Sequence, residues 1–544
     1  MKKIFSIVSL LVLMLTTAGC DDFLGDNINP DAPTKVPFQQ IMPTVIFYSA
    51  LQNFDHGDYG VYMSQCLTTL GRSQTGSYAY RSGWYFMGMN RHPQWRRHYF
   101  DIGANVNEII AMGTAADAKN YIALARLIRL MSTLYTTDVF GDMPLTEAYT
   151  ISNTPKYDSQ ESIYAWMNQE CDDLLAFFDL PDVNDPVYSM GIKVDRVFGG
   201  DMAKWKQVLL AQKARLMLRR LPNLDPSAAA KILETAELAL SNWSDPNYKF
   251  DGGTSVEKNC MWGKANKPIN SWESRTNDLD VAVPSKFFLI SMLGFDESAD
   301  KAADPRLRHL MKKRADDKGV VKYRFLENNI GADATQKKEH FPDLYHNIVQ
   351  CNDEGTICLF TKEELHFIAA EAAFWAGNKG VAVSHVRLGI ETHMRRIMVP
   401  RYPESPLAPS LEADRLAIEN EIADFLGNPS LVPGESNITL QYIMKQKYIA
   451  MYLQPEQWND MRRYGYSNNT NGLTYNNEVI YPSLRRPYNL YVAHFPLSNP
   501  NEWINRLNYD PETEEKYNVN ELIRLGAYKN PEWLKRPMIW SPKN

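Results

Sequence analysis

In the stretch AKNYIALARLIRLMSTLY, Tyr121, Leu124, Ile128, Met131 and Tyr135 recur at steps of 3 and 4, the spacing that keeps side chains on one face of an α-helix. Leu127, Leu130 and Leu134 make a second apolar face, so this helix is predicted to be buried on two sides. ELHFIAAEAAFWAGN repeats the pattern with Leu365, Ile368, Ala372 and Trp375, and Gly377-Asn378 supplies a stop. Similar periodicity predicts helices over 38–53, 100–113, 159–178, 201–220, 226–242, 379–396, 411–426 and 440–453. Several are neighbouring pairs across short turns, as 201–220 with 226–242 and 361–376 with 379–396. Such pairs predict a mostly α fold of tetratricopeptide-like helical hairpins, degenerate because no regular period of ~34 residues is present.

Between the helices, residues 71–99, 245–300, 315–360 and 465–544 are rich in Gly, Pro, Asn, Trp and Tyr and have no sustained period. Segments of that length in a compact protein are usually functional or covering, and they predict a large loop-rich part. Pro400, Pro403, Pro406 and Pro409 fall on every third residue, the turn length of polyproline II, and predict a stiff excursion. Nothing reads as a domain linker. The expected organisation is a leader over 1–19, an irregular tether over 20–37 and a single helical domain over 38–544.

The leader begins with Lys2 and Lys3, followed by an apolar run from Ile4 to Leu15 that is too short to span a bilayer, which takes ~20 residues. Thr17-Ala18-Gly19-Cys20 resembles the bacterial lipobox, with Thr17 where Leu is usual. Cys20 is therefore the expected lipidation site, because two or more acyl chains give stable anchoring. The plainer alternative is a secretion signal with an incidental cysteine.

A hydrophobic fraction of 44% and a charged fraction of 22% suit a globular protein, and a net charge of −6 without any long Lys/Arg run excludes nucleic acid as the expected partner. Beyond Cys20 there are Cys66, Cys171, Cys260, Cys351 and Cys358, with no CxxC pair. That is neither a disulfide framework nor a zinc site; a Cys351–Cys358 bridge is compatible with an oxidising compartment, but free buried thiols are the expectation. No HExxH, GxSxG, P-loop, GxGxxG or DxDxDG signature occurs, so no metal, no cofactor and no catalytic residues are expected.

Four motifs carry a family resemblance: LYTTDVFGDMPLTEAY at 134–149, GGDMAKWKQVLLAQKARLML at 199–218, ELHFIAAEAAFWAG at 364–377 and KQKYIAMYLQPEQWNDMRRYGY at 445–466. DPRL at 304–307 also fits. With these in order behind the lipobox, the chain resembles the SusD/RagB family of Bacteroidetes outer-membrane nutrient-binding lipoproteins. The resemblance implies a SusD-like fold and a lipid-anchored, surface-facing receptor that captures oligosaccharide for a SusC-like TonB-dependent transporter. Peptide capture by the same fold is the alternative, and a surface glycosidase is a more distant one. Asp21-Asp22 resembles the acidic export signal of such lipoproteins.

The motif residues themselves read as structural. Gly141 and Pro144 end a helix, and Asp142 is expected to accept backbone N–H groups in that turn. Trp458 and Arg462, four apart on a helix, allow the guanidinium to cover the indole. Glu371, in line with Phe367 and Phe374, is expected to be a buried carboxylate satisfied by an arginine.

Sugar rings present C–H faces and a fringe of hydroxyls, so their sites combine aromatic platforms with planar hydrogen-bonding groups. Two stretches have this composition. GSYAYRSGWYFMGMNRHPQWRRHYF, 76–100, contributes Arg81, Trp84, Tyr85 and Asn90, with Gly83 and Gly88 flanking the Trp84-Tyr85 pair. NCMWGKANKPINSWESRTNDLD, 259–280, contributes Trp262, Asn270, Trp272, Arg275 and Asp278. Each tryptophan has an alternative reading as an aromatic packed beneath a loop. Arg81, Arg91, Arg96 and Arg97 hint at an anionic ligand or, equally, at ion pairs with acidic neighbours.

Overall fold

The structure, a computed structural model, describes residues 36–71, 81–89, 91–150, 152–221, 225–265, 278–297, 303–399 and 409–542. The leader, Cys20 and nearly all of the predicted polyproline stretch lie outside these residues. The longer helices are α1 (Phe38–Met63), α2 (Asn105–Ala115), α3 (Lys119–Phe140), α4 (Gln160–Phe178), α5 (Met202–Leu218), α6 (Pro226–Leu240), α7 (Lys362–Trp375), α8 (Lys379–Met398), α9 (Pro409–Gly427), α10 (Leu440–Ala450) and α11 (Glu456–Arg463).

Helices α2 to α8 form a continuous array in which each packs on the next, and α1 lies against α2 and α3. The two apolar faces read in α3 are both used: Tyr121, Leu124, Ile128 and Met131 on one, Leu127, Leu130 and Leu134 on the other, all buried. Polar caps set the helix starts. Ser159, Asp201, Asp225, Thr361, Asn378 and Thr439 each accept a backbone N–H from the first turn that follows. At the α7–α8 junction Gly377 takes φ +82° and Asn378 caps the next helix, so one dipeptide both stops and starts.

The array is interrupted in sequence but not in space. After α6 the chain makes a long excursion and returns so that α7 docks on α6. The excursion closes where β2 (Asn247–Lys249) pairs antiparallel with β6 (Thr356–Cys358). Two further ladders lie in the loop-rich part: β1 (Leu67–Thr69) with β3 (Ala282–Pro284), and β4 (Arg314–Ala315) with β5 (Val321–Lys322).

Two elements depart from the periodicity. Helix α1 runs on past residue 53 to Met63, through Asp55, His56 and Asp58, because its buried carboxylates find partners: Arg97 Nε lies 3.1 Å from Asp55 and Arg81 Nη2 lies 3.3 Å from Asp58. The helix expected over 100–113 begins instead as a π-helix, Arg97–Ala104, and becomes α-helical at Asn105. Asp142 also differs from expectation. Its carboxylate accepts from Gln160 N at 2.9 Å, at the start of α4, while the N–H groups of its own turn, at Leu145 and Thr146, are taken by Asp158 at 2.9 Å. A paired bridge between Met143 and Asp158 brings that second aspartate alongside.

The helices are joined at their centre by buried ions. Arg219 lies 2.9 Å from Asp138 and 2.6 Å from Glu456, Arg215 lies 2.7 Å from Glu364, and Arg463 lies 2.9 Å from Glu371 and 2.7 Å from Asp460. Lys447 adds a 2.9 Å contact to Asp460. Arg462 sits 3.6 Å above the Trp458 ring and donates to the carbonyls of Asp138 and Asn505 at 2.6 and 2.7 Å. Arg215, Arg219, Lys447 and Arg463 thus pair with Asp138, Glu364, Glu371, Glu456 and Asp460, all buried and drawn from α3, α5 and its C-cap, α7, α10 and α11. Burial alone would push the Glu371 carboxyl up, but Arg463 and Lys447 outweigh it and hold it below the ordinary glutamate range. Cys66, Cys171, Cys260, Cys351 and Cys358 are free and buried, so Cys351 and Cys358 are not bridged.

Glu371→Ala strands the Arg463 guanidinium without its bidentate partner, and a loss of about 3–5 kcal/mol in urea unfolding is expected. A loss below 1 kcal/mol would mean that the network is not what ties α7 to α11.

Candidate ligand-binding face

In the loop-rich part the β1–β3 ladder sets the bases of two chain excursions side by side. Thr69 pairs with Ala282, and Leu70 N donates to Val281 O at 2.9 Å, so the chain leaves towards 72 beside the point where it returns at 278–281. Each excursion is closed at its base. Ser82 Oγ takes both the Thr69 N–H and the Thr69 hydroxyl at 3.1 Å, clamping the return of the first onto β1. Tyr345 spans the second: Lys264 Nζ lies 5.3 Å from its ring centre and its hydroxyl donates to Asp280 at 2.9 Å. Lys338 Nζ donates to the Leu279 and Ala282 carbonyls, and burial pushes this ammonium down to about 8.

Beneath the ladder runs the end of α1, which both stretches touch. Trp262 meets Phe54 edge-on at 4.6 Å, and Arg81 reaches Asp58 and lies 5.7 Å over the Tyr62 ring. Gly57 between them leaves room for a close approach, since a Cβ there would fall 2.8 Å from the Leu453 carbonyl. Arg81 and Tyr85 are only part-buried, whereas Trp84 is wholly buried.

The burial of Trp84 corrects the expectation that its ring is a ligand platform. Its backbone sits at φ +57°, a conformation bulky residues rarely adopt, which turns the indole inward against Phe495 at 5.2 Å and Trp503 at 5.7 Å. Trp262, 3% exposed, is likewise a support under the face and offers it no platform. Both follow the alternative reading of an aromatic packed beneath a loop. Tyr85 is part-buried, with Tyr491 at 4.6 Å and His494 stacked at 5.6 Å. Gly88 is what lets this ring fold back, because a Cβ there would lie 2.1 Å from it. Asn90, Asn270, Trp272 and Arg275 lie outside the described residues, and Asp278 opens a short helical turn that leads into β3.

The arginines resolve into ion pairs. Arg81 meets Asp58, Arg91 meets Glu512 at 3.0 Å, Arg96 meets Asp101 at 3.2 Å, and Arg97 meets both Asp55 and Asp101. Every guanidinium in the hinted cluster has a carboxylate beside it, which removes the argument for an anionic ligand. Tyr491 and His494, which complete the surroundings of Tyr85, were marked in the sequence only by the loop-like composition of 465–544.

A profile of the SusD-like family, described as starch-binding and associating with the outer membrane, matches residues 35–488. No curated protein sequence matches the chain. Among solved structures, a SusD homologue from Parabacteroides distasonis superposes with a TM-score of 0.65 at 18% identity, covering 94% of this chain and 100% of its own. A SusD homologue from Bacteroides fragilis gives 0.64 at 18%, with the same coverage, and a chitin-binding protein gives 0.61 at 17%, covering 93% of this chain and 100% of its own. At these identities the likeness is one of fold.

Trp84→Ala is expected to lower stability by about 3–5 kcal/mol through the cavity it leaves against Phe495 and Trp503. Chemical denaturation measures this, and an unchanged midpoint would contradict the packing role.

Proposed function

The chain belongs to the SusD-like (SusD/RagB) family, and from that membership we propose a cell-surface lipoprotein that binds oligosaccharide and delivers it to a SusC-like TonB-dependent outer-membrane transporter. The family description supplies the class, starch-binding and outer-membrane-associated. The observation that supports the reading here is the β1–β3 ladder, which sets Thr69 beside Ala282, so that two Trp/Tyr/Asn/Arg-rich parts of the sequence start and end next to each other. Aromatic faces beside planar amide and guanidinium groups are the chemistry that receives sugar C–H faces and vicinal hydroxyls.

In this reading Tyr85 and Trp272 stack on the saccharide, while Arg81, Asn90, Asn270, Arg275 and Asp278 bond its hydroxyls. Trp84 and Trp262 hold the face from below. Because each arginine of the 81–97 cluster already faces a carboxylate, a neutral glycan is favoured over an acidic one or a peptide terminus. The protein acts by binding alone, and the sugar leaves uncleaved.

Anchoring is assigned to Cys20, acylated behind the leader 1–19, with residues 20–37 as tether to a single domain over 38–544. Among the described residues no helix is long and apolar enough to cross a membrane.

Two experiments test this. On a combined glycan and peptide array the mature chain should retain a neutral oligosaccharide, which chromatography then recovers intact; Trp272→Ala should weaken that binding about fivefold, in line with ~1 kcal/mol for one aromatic stack. Retention of peptides only, or cleavage of the sugar, would overturn the reading. In cells, Cys20→Ala should lose palmitate labelling and leave the membrane fraction, and persistence of the variant there would contradict the anchor.

A further inference from the structure

Away from the β1–β3 face, a cavity of about 650 Å³ opens between the π-helix 97–104, the turn after α3 and the segment 510–514. This size falls within the range of small-molecule sites. Several independent features converge on it. Its wall is an eight-residue π-helix, a rare geometry that recurs at functional sites. Tyr149 takes φ +63°, another departure that the surrounding structure must hold in place. Its hydroxyl is directed into the wall, 3.3 Å from the His98 carbonyl, and Gly103 makes room for it, since a Cβ there would lie 1.6 Å from that oxygen.

What this arrangement leaves open is aromatic. Tyr149 is 43% exposed and Phe100 is 61% exposed, with the Arg96 guanidinium 4.3 Å over the Phe100 ring. Trp95 lines the cavity and its indole donates to Glu514 at 3.1 Å; behind the lining, the Tyr157 hydroxyl donates to the same carboxylate. Polar groups stand at the rim: the Arg91–Glu512 pair, part-exposed on both sides, together with Thr150 and Thr513. Two exposed aromatic side chains lining the pocket, Phe100 with Arg96 over one side of its ring and Tyr149, together with a carboxylate and hydroxyls, form a receptor for a ring with one C–H face and peripheral hydroxyls.

The geometry points to a second saccharide-binding site in this cavity, separate from the β1–β3 face, with Phe100 and Tyr149 as its platforms. The assignment of ligand class rests on the saccharide reading above. A chain carrying two sites would hold one long glycan at two points, raising avidity without tightening either contact.

The test is hydrogen exchange and calorimetry on the mature soluble chain with maltoheptaose and chitohexaose, soluble fragments of starch and of chitin. With sugar near half-saturation, exchange should slow in 97–104 and 144–150, in the parent and in Trp272→Ala alike. Phe100→Ala, at an exposed position, should markedly reduce that protection at the same sugar concentration and weaken the corresponding calorimetric phase about fivefold. Protection confined to the segments flanking β1 and β3, unaffected by Phe100→Ala, overturns the second site while leaving the saccharide reading standing. Protection by neither sugar anywhere overturns both.

Discussion

The structure depends on pairing charges that have been taken out of water. Removing a guanidinium or carboxylate from solvent costs several kcal/mol per ion, and the cost is recovered only where each charge meets a partner in good geometry. At the centre of this protein Arg215, Arg219, Lys447 and Arg463 face Asp138, Glu364, Glu371, Glu456 and Asp460, while Arg462 donates to the Asp138 and Asn505 carbonyls, so any slippage between α3, α5, α7, α10 and α11 would strand several charges together. The apolar stripes decide that helices pack; the ions restrict the register in which they do so. Even the C-terminal segment is tied in, as Trp540 Nε1 donates to Asp138 at 3.2 Å.

That rigidity is what the loop-rich part is built on. Segments that offer side chains to a ligand must be held at their bases to keep those side chains near one geometry. Here the bases are fixed by short devices: a three-residue ladder, the Ser82 clamp and the Tyr345 bridge. The ladder's first strand rests against the end of α1, whose own carboxylates are neutralised by Arg81 and Arg97. The arginines that hinted at an anionic ligand are thus part of the support, each with its charge already met by a carboxylate.

Legibility from sequence differed by kind of residue. The Glu371–Arg463 pair and the stacking of Arg462 on Trp458 could be anticipated, because a lone carboxylate on an apolar stripe and an i, i+4 spacing each admit few solutions. Asp142 could not be placed: whether it serves its own turn or the next helix depends on Asp158 arriving by a bridge across the chain. The extension of α1 through Asp55 and Asp58 was hidden for the same reason, since polar residues read as a helix end until their partners at 81 and 97 are known.

By itself the sequence determined the helical class, most helix boundaries, the family and the two aromatic-rich stretches, because periodicity, caps and motif spacing are properties of neighbours along one chain. Only the tertiary structure decided that Trp84 and Trp262 face inward while Phe100 and Tyr149 stay open. It also brought residues near 70 beside those near 280. An aromatic ring in an aperiodic segment carries no local record of which side will be covered. That outcome is fixed by elements hundreds of residues away, such as Phe495 and Trp503 closing over residue 84.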